Sequence, residues 1–144
     1  MNIGFTGTQT DINAKQFDRL LGLLTILRPH EVHHGDCVGA DDRLHAMVCW
    51  LNDENPNYQI NIHIHPPIID TKRAWCVGAD EMYVPKDYLV RNHDIVDASD
   101  IVIVCPVTNK EQQRSGTWAT YRYATKLSKE TYLLLPNGEV IHEG

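Results

Sequence analysis

Apolar residues recur along the chain with two periods, and helical spacing dominates four segments. Residues 11–28 carry apolar side chains about every third or fourth position and stop before Pro29, which predicts a first helix with Asp11 as its N-cap. Residues 39–52 predict a second helix that places Trp50 in the core, and residues 86–98 and 115–128 predict the third and fourth.

Shorter apolar runs between these helices predict strands. Ile60, Ile62 and Ile64 alternate with polar residues in one run, and the IVIVC sequence that follows Asp100 is a continuous apolar run typical of a strand buried on both faces. Asn137-Gly138 predicts a hairpin turn before the last strand. The predicted strands cover residues 1–6, 31–34, 58–65, 100–105, 131–135 and 140–141.

Alternation of strands and helices predicts a mainly parallel sheet with helices on both faces. We therefore expect one Rossmann-like α/β domain over residues 1–144, closed by a C-terminal hairpin. Ligands of such sheets bind beyond the carboxyl ends of the strands, at the point where the strand order reverses. Residues 66–83 show no periodicity, and a loop of this length is usually functional or mobile.

Three glycine-bearing stretches are expected at that edge: GFTGTQ at residues 4–9, HGDCVGAD at 34–41 and RSGTW at 114–118. Glycine lets backbone approach a ligand, and a helix that begins there offers free N–H groups to an anion. Each stretch could instead be an ordinary helix cap. Three of them on one edge favour a single anion site.

Charged and aromatic residues near these stretches are candidate ligand contacts, each with a structural alternative. Arg91 and Arg114 could pair with phosphate or could form surface ion pairs. Asp36 and Asp41 could accept hydrogen bonds from a ribose. Alternatively, Asp36 could cap the second helix and Asp41 could interact favourably with its dipole. Trp118 could stack on a base or could pack in the interior.

Composition narrows the function classes. The formal charge of -6 disfavours a broad grip on duplex nucleic acid, and no apolar run approaches the length of a membrane span. The first residues lack a secretory signal, and the four cysteines form no CxxC pair, so we expect reduced thiols and a cytoplasmic location. Neither His63 with His65 nor any other histidine pair has a third ligand at a recognisable spacing, so no metal site or cofactor is predicted.

The order of the motifs resembles the SLOG superfamily, and within it the YspA-like branch of Rossmann-like proteins. The resemblance runs over roughly residues 1–135 and consists of GFTGTQ, HGDCVGAD, Arg91-Asn92 before the strand at 100–105, and RSGTW. Relatives in this superfamily include cytokinin-activating phosphoribohydrolases of the LOG type, DNA-processing protein A, and sensor domains for ADP-ribose-type signals. The resemblance implies a pocket for a nucleotide or a nucleotide-derived ligand.

The motif positions carried over by this resemblance are Gly7, Thr8, Gly35, Asp36, Gly39, Asp41, Arg91, Ser115, Gly116 and Thr117. Four neighbours in the same loops complete the predicted ligand site, namely Gln9, Cys37, Arg114 and Trp118. Thr120 stands at the position where the motif of the phosphoribohydrolases has a glutamate. Gln9 stands where the YspA-like pattern often has a basic residue. A threonine cannot act as a carboxylate base, which puts N-glycosidic hydrolysis in doubt.

Three functions follow as hypotheses. The first is a non-catalytic domain that senses or sequesters a nucleotide-derived ligand, one version being a phage protein that captures a defence signal. The second is a hydrolase of the phosphoribohydrolase type, in which Asp36 would supply the catalytic carboxylate. The third is binding of single-stranded DNA, which the negative charge disfavours. A homodimer or homotetramer is expected from the relatives.

Overall fold

A computed structural model describes all 144 residues of the chain. The elements follow each other as β1 (Asn2–Gly7), α1 (Ala14–Leu27), β2 (Glu31–His34), α2 (Ala40–Glu54), β3 (Asn61–Ile64), β4 (Glu81–Met82), α3 (Tyr88–Asp97), β5 (Ile101–Cys105), α4 (Gly116–Lys126), β6 (Glu130–Leu134) and β7 (Val140–Glu143). A single turn of 3-10 helix covers Asp70–Lys72. No helix combines the length and the apolar character needed to cross a bilayer.

The strands form one seven-stranded sheet in the order β4-β3-β2-β1-β5-β6-β7. All neighbours are parallel except β6 and β7, which form an antiparallel hairpin. The predicted Rossmann-like α/β fold with a C-terminal hairpin is therefore confirmed. The two-residue strand β4 lies inside the segment predicted as a loop, because so short a run has no sequence periodicity.

The topological switch point lies between β1 and β5. From β1 the chain builds the sheet outward through β2, β3 and β4, then crosses to β5 on the other side of β1. Gly7 and Cys105 are register partners at the ends of these two strands, and the Thr8 N–H donates to the Cys105 carbonyl oxygen at 3.0 Å. The loops that follow β1 and β5 therefore begin side by side.

Two hydrophobic layers cover the two faces of the sheet. Ile101 and Ile103 of β5 join a large cluster with apolar residues of α1 and α2, whereas Val102 and Val104 join a smaller cluster with α3 and α4. The alternation follows from the two-residue period of a strand. It explains why every side chain of the apolar run in β5 is buried.

Two local sequence predictions were wrong. Trp50 is 54% exposed on α2, because its position falls on the outer side of that helix. Asn13, not Asp11, caps α1: its side chain accepts from the Gln16 N–H, and the Gln16 side chain accepts from the Asn13 N–H. Asp11 instead pairs with Arg43 at the surface.

Candidate functional site

A cleft of about 370 Å³ lies at the switch point, beyond the ends of β1 and β5. Its floor comes from the loop after β1, and its wall comes from the start of α4. The lining residues are Thr8, Gln9, Thr10, Tyr88, Val107, Arg114, Ser115, Gly116 and Thr117. Six of these nine belong to the predicted ligand set, so the structure brings the first and third glycine-bearing stretches together.

The N-terminus of α4 opens into this cleft with unpaired backbone donors. The Ser115 side chain caps the helix by accepting from the Trp118 N–H at 3.2 Å. The N–H groups of Gly116 and Thr117 have no acceptor within the protein. The positive end of the helix dipole and these two donors make the turn favourable for an anion.

Arg114 adds a full positive charge at the mouth of the cleft. Its guanidinium is exposed and takes part in no salt bridge and no hydrogen bond of the protein. None of the nine lining residues is acidic, so nothing within the cleft neutralises this charge. An arginine fork in such surroundings suits a phosphate or carboxylate group.

Tyr88 forms the aromatic wall of the cleft, and sequence reasoning missed it. The Arg91 guanidinium lies 4.6 Å from its ring centroid, and the Gln9 amide donates to its hydroxyl at 3.5 Å. A Cβ on Gly116 would lie 3.1 Å from the ring, so glycine leaves room for the tyrosine there. Burial raises the pKa of the Tyr88 hydroxyl. The only sequence signal was its place in the first turn of a helix that follows a strand.

The loop between β2 and α2 does not form the open anion cradle that its glycines predict. The N–H of Val38 donates to Lys72 O at 2.8 Å, and that of Ala40 donates to Thr8 O at 2.9 Å. The N–H of Cys37 donates to the Asp41 carboxylate at 3.1 Å. Gly39 has a φ of 93°, and a Cβ there would collide with the Gln9 backbone. This loop therefore supports the loop of Gln9 from behind.

Asp36 is fully buried and anchors the long segment after β3. Its carboxylate accepts from Arg73 Nε at 2.7 Å and from the Cys76 N–H at 2.9 Å. Burial raises the pKa of the carboxyl group, but these two donors outweigh burial and hold the pKa below its ordinary value. The predicted ligand residue Asp36 has no exposed surface in this structure, and its carboxylate fixes residues 66–83.

Arg91 is also buried, at 2% exposure, and lies beneath Tyr88. Its guanidinium donates to the Gly35 carbonyl oxygen at 2.6 Å, to the His65 carbonyl oxygen at 3.1 Å and to the Asn92 side chain at 2.8 Å. It also approaches Cys37 Sγ at 3.6 Å. Because its guanidinium already donates to these protein groups, Arg91 supports the site from within and does not reach into the cleft.

Asp41 is the one buried carboxylate of this region with an unpartnered oxygen, Oδ1. Burial raises its pKa to about 6, although the Arg91 charge acts in the opposite direction. Burial and the nearby Asp41 both raise the pKa of Cys37, which makes that thiol a packing residue rather than a nucleophile.

Trp118 and Thr120 point into the protein. Trp118 is 3% exposed, joins the second hydrophobic cluster and donates through Nε1 to Thr108 Oγ1 at 3.1 Å. The ring therefore has no free face for a base. The Thr120 hydroxyl donates to the Gly116 carbonyl oxygen at 2.9 Å within α4. Sequence alone could not separate these inward positions on α4 from the outward ones.

Comparison with known proteins adds a fold but no family. No protein-family model and no curated protein sequence matches the chain. The molybdenum cofactor binding protein from the phototrophic bacterium Rippkaea orientalis superposes with a TM-score of 0.66 at 20% identity, over 93% of this chain and 76% of that chain. The protein TM1055 superposes with a TM-score of 0.59 at 14% identity, over 90% of this chain and 71% of that chain. These similarities establish a shared Rossmann-like fold.

Proposed function

We propose that the chain is a SLOG-type domain that binds a small anionic, nucleotide-derived ligand in the cleft at the switch point without cleaving it. One observation carries the proposal: the unpaired Arg114 and the unpaired N–H groups of Gly116 and Thr117 converge on a cleft that holds no acidic side chain. Phosphate is the ligand group that such a combination favours.

The dimensions and the wall of the cleft favour a ligand larger than phosphate alone. About 370 Å³ lies at the lower end of the usual range for small-molecule pockets. Tyr88 offers an aromatic surface to a base, and the hydroxyl groups of Thr8 and Thr10 offer hydrogen bonds to a sugar. The Rippkaea protein binds a small cofactor on a similar fold, which agrees with ligand binding as the class of function.

Binding without turnover is favoured over hydrolysis by the residues around the cleft. The lining contains no carboxylate, histidine or cysteine that could act as a base or a nucleophile. Asp36, the carboxylate considered for that role, is buried in its pair with Arg73. Thr120 stands where the phosphoribohydrolases are expected to carry glutamate, and its hydroxyl is held inside α4.

A calorimetric titration with a matched ligand panel tests the proposal. The panel holds adenosine, AMP, ADP and ADP-ribose, together with a single-stranded oligonucleotide. We expect the free phosphate-bearing nucleotides to bind, with affinity that falls as salt rises, and adenosine to bind at least tenfold more weakly. Mass spectrometry of the ligand after incubation should return it intact. Equal binding of adenosine and AMP would refute the anion site, and released base would favour the hydrolase.

A further inference from the structure

A second group of chemically active side chains lies over β2, β3 and β4, on the face of the sheet opposite α1 and α2. Glu31, His33, His63, His65 and Tyr83 form what we call the histidine cluster. Glu31 and His33 are two residues apart in β2 and therefore point to the same face, away from the core of α1 and α2. His63 is the direct register partner of His33 in β3. Three strands thus bring these side chains into one place.

Three ligand atoms of the cluster face one another. Glu31 Oε1 lies 2.9 Å from His33 Nε2 and 3.7 Å from His63 Nε2. All three atoms lie within 4.8 Å of one another. A tetrahedral zinc ion with bonds of about 2.0–2.2 Å holds its ligand atoms roughly 3.4 Å apart. Small side-chain adjustments are enough to reach that spacing.

The other nitrogens of the two histidine rings have partners of their own. His33 Nδ1 lies 2.8 Å from His65 Nε2, and His63 Nδ1 lies 2.9 Å from the Tyr83 hydroxyl. In the structure a hydrogen bond joins His33 Nε2 to Glu31 Oε1 at 2.9 Å, and a bound ion would replace its proton. With the ring protons on the two Nδ1 atoms, both Nε2 lone pairs would then be directed towards that ion. Histidine ligands in metal sites almost always donate their second N–H in this way, which fixes the tautomer and the ring orientation.

We propose that Glu31, His33 and His63 bind a divalent transition-metal ion such as Zn²⁺, with solvent in the remaining coordination position. Two imidazoles and one carboxylate are a donor set that suits such ions. Glu31 and His63 retain 31% and 14% side-chain exposure, so an ion can enter from solvent. The sequence concealed the site because its ligands belong to two strands and have no characteristic spacing.

A neighbouring group of His34, His45 and Cys76 is not suited to a metal, although its ligand atoms are equally close. The Asp36 N–H donates to His34 Nδ1 at 2.9 Å, which places the His34 proton on Nε2. His34 Nε2 therefore donates to His45 Nδ1 at 3.0 Å, and His45 Nε2 donates to the Val77 carbonyl oxygen at 2.7 Å. A metal on His34 Nε2 would require an imidazolate or the loss of the backbone bond.

Zinc titration of the chelator-stripped protein tests the proposal. We expect calorimetry to show tight binding of one zinc ion per chain. Glu31→Gln and His63→Gln should each weaken the affinity for zinc at least tenfold. His142→Gln is the matched control, because His142 also lies 2.8 Å from a glutamate and stacks on a tyrosine but has no second histidine. Cys76→Ser controls for the neighbouring group. Both controls should bind zinc as the unchanged protein does.

Two spectroscopic measurements on the unchanged protein make the result independent of any folding defect in a variant. Nitrogen chemical shifts of the His33 and His63 rings should move on zinc addition. Cobalt substitution should give d–d bands without a thiolate charge-transfer band. The absence of stoichiometric zinc binding would overturn the proposal. A thiolate band, or loss of binding in Cys76→Ser alone, would do so as well.

Discussion

The guanidinium of Arg91 donates a hydrogen bond of 2.6 Å to the carbonyl oxygen of Gly35 in the protein interior. A side chain on Gly35 would overlap that guanidinium. The pair therefore joins α3 to the turn after β2, beneath the ring of Tyr88. In this structure the glycine and the arginine, both predicted as ligand contacts, support the cleft from beneath.

Gly35→Ala should lower the free energy of unfolding by about 2–4 kcal/mol, because the new methyl group displaces the Arg91 guanidinium from a buried hydrogen-bond network. Gly22→Ala is the control, since a Cβ at that position in α1 meets no atom within 4 Å. It should stabilise the protein by about 0.5–1 kcal/mol through helix propensity. Urea unfolding measures both, and equal effects would contradict the role of Gly35.

Arg114→Gln should weaken binding of AMP or ADP-ribose by roughly tenfold, about 1.4 kcal/mol, and should reduce its salt dependence. The physical reason is the loss of the unneutralised charge beside the free donors of α4. Lys126→Gln removes one positive charge from the opposite end of the same helix and serves as the control. Equal losses in the two variants would point to net charge rather than to a local site.

Arg73→Gln should destabilise the protein by about 3 kcal/mol, because it leaves the buried Asp36 carboxylate without its ion partner. The effect should be larger above pH 4 than at pH 2, since the folded-state pKa of Asp36 is lowered and its contribution disappears on protonation. Residues 66–83 should also become sensitive to limited proteolysis.

Arg43→Gln is the matched control for that change. It breaks the pair with Asp11, in which both side chains are about half exposed, so it should lower the free energy of unfolding by less than about 1 kcal/mol. A similar loss in the two variants would show that burial of Asp36 does not govern the strength of its pair.

Asp41→Asn should change the pH dependence of stability. The folded protein holds the Asp41 proton up to about pH 6, against an ordinary value of 3.8, so it binds more protons than the unfolded chain between these values. The Asp41 contribution therefore falls as pH rises through this window. Between pH 4 and pH 7, the free energy of unfolding of the variant should therefore rise by on the order of 2 kcal/mol relative to that of the unchanged protein.

Urea unfolding at a series of pH values measures this difference, with Asp18→Asn on the exposed side of α1 as the control. The groups around Asp41 act in both directions, since the Arg91 charge lowers its pKa and the Asp36 charge raises it. A difference between variant and unchanged protein that does not vary with pH would contradict the raised pKa.

The sequence pattern predicted a ligand site at the sheet edge where the cleft lies, but it did not distinguish the residues that line the cleft from those buried beside it. Ser115, Gly116 and Thr117 line the cleft, and they could be singled out because a capped helix start after a strand leaves a recognisable local pattern. Asp36, Arg91 and Trp118 share the same loops and helices, yet they are buried. Exposure depends on what packs over a residue, and a local pattern contains no such information.

The sequence by itself determined the α/β class, the parallel sheet and the closing hairpin, because these depend on the periods of apolar residues and on turn chemistry within a few neighbouring positions. Tertiary structure alone decided the partners: Arg73 for Asp36, Gly35 for Arg91, and the Glu31, His33 and His63 group. These contacts join residues from distant parts of the chain. Their geometry exists once the sheet has set the order and register of its strands.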